Sequence, residues 1–276
     1  MPELPEVESV ARDLDCRVRG RQILAAQLLR PRLAPEIPSE AFTASLSGSR
    51  INFVYRRGKN ILFDLNNGKT LLTHLRMSGR FMLLSADDDD PKFTHAALHF
   101  EDATRLVFDD QRHFGLMKIL DTSGLELDRS IATLAPEPFS SAFSVSYLAE
   151  QLKRSNRSLK EFLLDQTKVC GLGNIYASEA MFRAGISPRR RTRNVPRTRV
   201  GPLHANIVEI LADAIELARS KKPHPVIIGE GVYGTGAAAD WKVYDREAQP
   251  CKTCASAIRR IRQGQRSTYY CPKCQR

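Results

Sequence analysis

Four cysteines near the end of the chain constrain its fold more than any other feature. Cys251-x2-Cys254 and Cys271-x2-Cys274 stand sixteen residues apart. Two such pairs suit the two knuckles of a β-hairpin that holds one tetrahedral Zn2+. Two disulfides are the competing arrangement, and a reducing compartment disfavours them. The stretch between the pairs carries Arg259, Arg260, Arg262 and Arg266, and Thr268-Tyr269-Tyr270 reads as its returning strand. A metal-stapled hairpin with basic residues of its own suits contact with a polyanion better than a purely structural role. Cys16 and Cys170 are left over; both read as structural, with Cys16 buried in a first helix.

At 276 residues, 42% of them hydrophobic, the chain can bury one large core or two medium ones. No apolar run nears the ~20 residues of a membrane helix. No basic start followed by an apolar stretch marks secretion, so the cytoplasm is the expected residence. The formal net charge is +11 and is unevenly spread. Residues 251–276 hold seven Lys/Arg and no acid, and residues 183–199 hold seven Arg and no acid. The run Asp87-Asp88-Asp89-Asp90 reads as a solvated turn. Such segregation points to a phosphate-binding face, hence to nucleic acid and a nucleoid association. A membrane surface is the weaker reading, because no basic amphipathic helix has an aromatic face.

Hydrophobic spacing divides the chain. Val7, Val10, Ala11, Leu14 and Val18 recur at helical intervals and predict a helix over about 4–18. Strand-like stretches follow at Ile23–Leu29, Ile51–Tyr55, Asn60–Leu65, Thr70–Leu75, Phe81–Leu84, Ala96–Phe100, Arg105–Phe108 and Leu116–Leu120. Short strands separated by polar turns predict a β-sandwich or barrel. Leu134-Ala135-Pro136-Glu137-Pro138 reads as a linker. Beyond it the period becomes helical: Tyr147, Leu148 and Leu152; Leu159, Phe162 and Leu163; Ile175–Gly185; and a long helix through Leu203, Ile207, Ile210, Leu211, Ala214 and Leu217.

Two further segments carry possible chemistry. Pro2 becomes a secondary amine if Met1 is removed, and an α-amino group titrates near about 8. It can then attack an electrophilic carbon and form an iminium ion, with Glu3 beside it to move protons. The turn Gln166-Thr167-Lys168-Val169-Cys170-Gly171-Leu172-Gly173-Asn174 joins two helices. The second helix offers free N–H groups to a phosphate, and Asn174 either caps that helix or donates to the phosphate itself.

Taken together these segments resemble the formamidopyrimidine-DNA glycosylase and endonuclease VIII family. The residues that carry the resemblance are Met1-Pro2-Glu3-Leu4-Pro5-Glu6-Val7-Glu8, His74-Leu75-Arg76-Met77-Ser78-Gly79-Arg80, Asp110-Gln111-Arg112-His113-Phe114-Gly115, Pro136-Glu137-Pro138, Leu164-Asp165-Gln166 through Glu179, and Gln265-Arg266 before the last cysteine pair. They run in order over almost the whole chain. The resemblance implies an α+β protein. A β-sandwich with an N-terminal helix fills 1–133, a linker 134–143, and a helical helix–two-turn–helix domain 144–240. A lesion-capping loop at 222–239 and a zinc-binding β-hairpin at 241–276 complete it. It implies a monomeric DNA glycosylase and abasic-site lyase of base-excision repair acting on oxidised or ring-opened purines in double-stranded DNA, with one structural zinc on Cys251, Cys254, Cys271 and Cys274.

By that resemblance Pro2 is the nucleophile, Glu3 the general acid, Glu6 a supporting residue and Lys59 a phosphate holder. Without it, Lys59 is a hairpin-turn lysine. Met77, Arg112 and Phe114 fill the void left by a flipped nucleotide; as plain strand residues, Met77 and Phe114 belong to the core. Asn174 and Arg266 clasp phosphates, Lys160 lies near the damaged base, and His95 joins the DNA contacts. The match departs at the capping loop. The family's loop usually carries Thr or Ser, Leu, a basic residue, Asp and Phe, then a later aromatic near Ala237. Here it reads Pro223-His224-Pro225-Val226-Ile227-Ile228. Tyr244-Asp245-Arg246 departs as well, and Arg76 stands at a usual glycine. An oxidised-pyrimidine glycosylase and a non-catalytic binder of damaged DNA remain the alternatives.

Overall fold

The computed structural model describes residues 1–229 and 240–276. Contacts divide the chain into two units, Met1–Ala132 with Ala218–Tyr233, and Thr133–Leu217 with Gly234–Arg276.

The first unit starts with α1 (Leu4–Val18), whose buried stripe is Leu4, Val7, Val10, Ala11, Leu14 and Val18. That stripe is the one its spacing predicts. Cys16 lies off the stripe and is exposed, which corrects the expectation that it is buried. β1 (Ile23–Leu28) and α2 (Ser39–Leu46) follow, then β2 (Ile51–Arg57), β3 (Asn60–Leu65), β4 (Lys69–His74), β5 (Arg80–Leu84), β6 (Thr94–Phe100), β7 (Arg105–Asp109), β8 (Leu116–Asp121) and the short α3 (Arg129–Ala132). All eight expected strands are present. The helix α2 was not expected, because it buries only Phe42 and Leu46 and leaves too little periodicity to read.

The strands form two antiparallel four-stranded sheets, ordered β1-β6-β7-β5 and β2-β3-β4-β8. Their apolar faces share one core with α1. Phe63, Phe81 and Phe108 meet edge to face within it, with ring centroids 5.6 and 5.2 Å apart. The chain passes from one sheet to the other three times, first between β1 and β2 and then at two short crossings, between β4 and β5 and between β7 and β8. These two crossings, 75–79 and 110–115, carry the expected void-filling residues.

α1 is fastened to the edge strand beside it. Asp15 Oδ1 accepts the Val54 N–H at 2.7 Å, next to the register irregularity between Ile51 and Phe53. Arg17 donates to the His224 and Pro225 carbonyls at 2.6 and 2.7 Å. Residues 226–228 continue along β5: Leu83 N–H donates to Val226 O and Ile228 N–H to Phe81 O, at 2.9 and 3.0 Å.

The second unit contains α4 (Val145–Lys153), α5 (Leu159–Leu164), α6 (Asn174–Arg183), α7 (Arg197–Arg219), β9 (Arg259–Gln263) and β10 (Arg266–Tyr270). Ser144 and Ser158 cap α4 and α5, the latter with a full capping box through Glu161. β9 and β10 pair antiparallel around Gly264-Gln265, both with positive φ (50° and 60°), as a tight hairpin turn requires. Among the described residues, no helix is long and apolar enough to cross a membrane.

Asp15→Ala strands the Val54 N–H and should lower stability by about 1–3 kcal/mol. Urea unfolding measures the loss, and a change within error would show that this helix–strand tie carries little.

Candidate functional site

The N-terminal group is built by the cap of α1. Glu3 is the N-cap residue, and its side chain accepts the backbone N–H of Glu6. The Glu6 carboxylate returns the bond, accepting Glu3 N–H at 2.8 Å. Pro5 sits in the first turn, where a missing N–H costs nothing. Pro2, Glu3 and Glu6 are all buried, Glu3 to 2% exposure. A carboxylate held this way has its position set before any ligand arrives.

Lys59 lies in the turn between β2 and β3 and is also buried. An ion pair brings that turn to α1. Arg56 Nε is 2.8 Å from Glu8 Oε2, and the same guanidinium donates to the Gly58 carbonyl at 3.1 Å. Arg12 adds a second bond to Glu8. Burial alone would raise the Glu8 carboxyl; Arg56 and then Arg12 outweigh it and hold the carboxyl below its usual value. Asn60 pairs with His74 across β3 and β4, so His74 comes close to Lys59. Burial, then Arg76 and Lys59, push His74 down to about 3, and its Nδ1 accepts Arg76 N–H at 3.0 Å. The ring is therefore neutral, with its proton on Nε2.

The two sheet crossings present Met77, Arg112 and Phe114. Met77 is 41% and Phe114 48% exposed, so neither is a core residue of its strand. The Arg112 guanidinium carbon lies 5.2 Å from the Phe114 ring centroid, a cation–π contact. Arg76, at the position where a glycine is usual, has φ +56°, the left-handed conformation that favours glycine. His95 is buried; its Nε2 donates to the Asp110 carbonyl at 3.0 Å, and its ring is 4.9 Å from that of His113. Burial first and His113 second lower its basicity. His95 thus braces the 110–115 crossing from beneath.

In the second unit the turn before α6 is stitched by one amide. Gln166 Nε2 donates to the Leu164 and Leu172 carbonyls at 3.0 and 2.9 Å, and its Oε1 accepts Gly171 N–H at 3.0 Å. The N-cap of α6 is Gly173, so Asn174 is its first helical residue and not its cap. Asn174 Nδ2 instead donates to the Ser267 carbonyl on β10 at 2.9 Å, joining this turn to the hairpin. Lys160 is fully buried, its Nζ donating to Asn174 O and Ser178 Oγ, both at 2.7 Å. An ammonium under a helix N-terminus adds to the positive end of the helix dipole and favours an anion there. Arg266 is exposed at the start of β10.

The four cysteine sulfurs lie within 4.8 Å of one another, with Cys254–Cys271 at 3.4 Å and Cys251–Cys274 at 3.9 Å. Tetrahedral zinc–thiolate geometry sets sulfurs ~3.8 Å apart. The donor set fits one structural zinc, and no disulfide is formed. Thr253 and Cys274 N–H groups point at Cys251 and Cys271 Sγ, at 3.5 and 3.4 Å. Glu179 of α6 accepts Lys242, Val243 and Tyr244 N–H at 3.0, 2.9 and 2.8 Å, anchoring the chain that enters the hairpin.

Sequence reasoning missed four contributors: His74, the Glu8–Arg56 pair and Asp110. Nothing local marks His74 or the ion pair, whose members stand 48 residues apart. Asp110 had a signal: an aspartate opening a turn commonly accepts the N–H groups that follow it.

Residues 1–117 match the family model of the formamidopyrimidine-DNA glycosylase N-terminal domain, 134–223 that of the formamidopyrimidine-DNA glycosylase H2TH domain, and 248–276 a zinc finger found in FPG and IleRS. The chain is 41% identical over 288 residues to a formamidopyrimidine-DNA glycosylase of Dinoroseobacter shibae, covering all of both chains. It is 42% identical over 278 residues to one of Chloroflexus aggregans, covering all of this chain and 98% of the relative. Among solved structures it is similar to Lactococcus lactis Fpg with abasic-site DNA (TM-score 0.90, 32% identity, 99% of each chain) and with DNA containing N7-benzyl-Fapy-dG (TM-score 0.91, 32% identity, 100% of each chain).

Metal analysis should find one zinc per chain, and Cys251→Ala should lose it, with protease cuts appearing between 251 and 276 while the rest stays protected. Stoichiometric zinc in that variant would dismiss the four-cysteine site. The folded Glu8 carboxyl titrates below its unfolded value, so its contribution is full above the unfolded value and fades as pH falls through the folded one. Glu8→Gln should therefore be less stable than the parent at neutral pH and converge with it only as pH falls through the lowered folded value, below the ordinary carboxylate range. Urea midpoints against pH check this.

Proposed function

Because the chain belongs to the formamidopyrimidine-DNA glycosylase family, we propose that it is a bifunctional glycosylase and abasic-site lyase that removes oxidised or ring-opened purines from double-stranded DNA. The observation that carries this reading is the exposure of Met77 and Phe114 beside Arg112. A flexible apolar chain, a guanidinium fork and an aromatic ring on two adjoining turns suit entry into a base stack. A sugar carbon inside a duplex cannot be reached for displacement, so the damaged nucleotide must turn out, and these side chains fill the space it leaves. Arg112 donates to the orphaned base.

The chemistry begins at Pro2. With Met1 removed, its neutral amine attacks C1′, and the base departs with the glycosidic bond electrons and takes up the proton released from the amine. Glu3 delivers a proton to the sugar ring oxygen, the ring opens, and a Pro2–C1′ iminium remains. The iminium acidifies the C2′ proton; its loss expels the 3′ phosphate by β-elimination, and δ-elimination expels the 5′ phosphate. Glu6 fixes Glu3. Lys59 holds a phosphate beside the lesion, and neutral His74 offers its Nε2–H close to it. In the second unit Asn174 and Arg266 clasp phosphates, and Lys160 supports the α6 N-terminus.

In this scheme 1–133 performs the chemistry, 144–240 grips the duplex with 222–239 as capping loop, and 241–276 is the zinc hairpin. Residues 230–239 of that loop lie outside the described residues, and its sequence departs from the family pattern. Cleavage at abasic sites and ring-opened purines is expected first, with 8-oxoguanine the lesion most exposed to that departure. The protein acts as a monomer in the cytoplasm, on the nucleoid.

Borohydride should trap a covalent complex between the Met1-processed protein and abasic duplex, and Pro2→Gly should slow base release by about a hundredfold or more. An active-site amine that gives no adduct would leave a zinc-bearing binder of damaged DNA.

A further inference from the structure

Asp110 is fully buried at the head of the 110–115 crossing. Its carboxylate serves both crossings. Oδ2 accepts Phe114 N–H at 2.8 Å and Gly115 N–H at 2.7 Å. Oδ1 accepts Ser78 Oγ–H at 2.5 Å and Arg112 N–H at 3.2 Å. Arg112 N–H is also 3.2 Å from Ser78 Oγ, which closes the ring of bonds between the two turns. The backbone of Asp110 is held as well: its carbonyl accepts from His95 Nε2, and its N–H donates to Phe93 O, both at 3.0 Å.

One aromatic ring seats both turns from the core side. A Cβ on Gly79 would lie 2.5 Å from Phe108 Cζ, and one on Gly115 2.6 Å from Phe108 Cε1. Each glycine therefore lets its turn rest directly on the ring. Each turn also holds a non-glycine residue at positive φ, Arg76 at +56° and His113 at +57°. Such conformations cost free energy and persist only where neighbours over-determine them. Asp110 supplies part of that constraint, since its carbonyl accepts His113 N–H at 3.2 Å.

We propose that Asp110 is a positioning residue that locks the Met77 turn and the Arg112–Phe114 turn into one rigid wedge. This rests on the reading of those three residues as void fillers. A carboxylate is needed because four donors converge on it. An aspartate accepts all four, whereas asparagine accepts on one side only. Turning its oxygen to Phe114 and Gly115 leaves its amide to donate to Ser78 Oγ and strands Arg112 on the serine alone. The bonds of the Asp110 carboxylate all go to residues of the two turns, so its influence falls on insertion and not on the covalent step.

Two measurements separate these. The first is fluorescence of 2-aminopurine placed opposite a tetrahydrofuran abasic analogue, which reports wedge insertion and requires no chemistry. The second is borohydride trapping on single-stranded abasic oligonucleotide, which requires the amine but no orphaned partner base. Asp110→Ala should slow the fluorescence change by about tenfold or more, from losing charge-assisted bonds, with trapping unchanged within about twofold. Asp110→Asn should recover part of the insertion rate. Ser78→Ala, on a half-exposed side chain, should give an intermediate loss and decides the matter if Asp110→Ala does not fold. Parental insertion kinetics in Asp110→Ala, or in Ser78→Ala where that variant decides, overturns the proposal. So does an equal loss in both assays by a variant of parental stability. Absence of trapping by the parent protein with insertion intact would instead overturn the lyase reading and leave the wedge assignment standing.

Discussion

The buried face of α1 is the constraint on which the first unit depends. Leu4, Val7, Val10, Leu14 and Val18 cannot leave the sandwich without exposing its core. Their burial fixes where the residues just before the helix must lie. Glu3 and Glu6 then complete one another's hydrogen bonds, so the chain start is ordered by helix formation itself. The Glu8–Arg56 pair carries that order across to the Lys59 turn. The contacts that stabilise α1 are here the same ones that order the residues before it, in a stretch that would otherwise fray.

The second unit solves a different problem, that of holding a short hairpin with little core of its own. Val243, Cys251, Ile258, Tyr269 and Cys271 form its hydrophobic cluster. Such a cluster is too small to define the hairpin alone, and four thiolates on one zinc supply the missing restraint. The tie from Asn174 to Ser267 makes the turn before α6 and the hairpin neighbours in space although 93 residues separate them in the chain.

Much of this was legible in the sequence. The α1 stripe and the eight strands follow from periods of 3.6 and 2, which their buried partners enforce. The cysteine spacing identified the metal centre. What periodicity could not supply was which apolar residues the fold leaves outside. Met77 and Phe114 look like strand residues until the sheet crossings are seen, and Cys16 looks buried until the helix phase is fixed. Asn174 read as either a helix cap or a phosphate donor; Gly173 takes the cap position, and the Asn174 side chain donates to Ser267 on β10. His74, the Glu8–Arg56 pair and the bond from Ser78 to Asp110 act through contacts set by tertiary packing, and no local pattern joins them.

The three bonds that Glu179 accepts from residues 242–244 have a consequence for metal loss. They anchor the approach to the hairpin at a point upstream of all four clustered cysteines, by a carboxylate outside the metal site. Loss of the metal would therefore free the hairpin while leaving its approach fastened to α6.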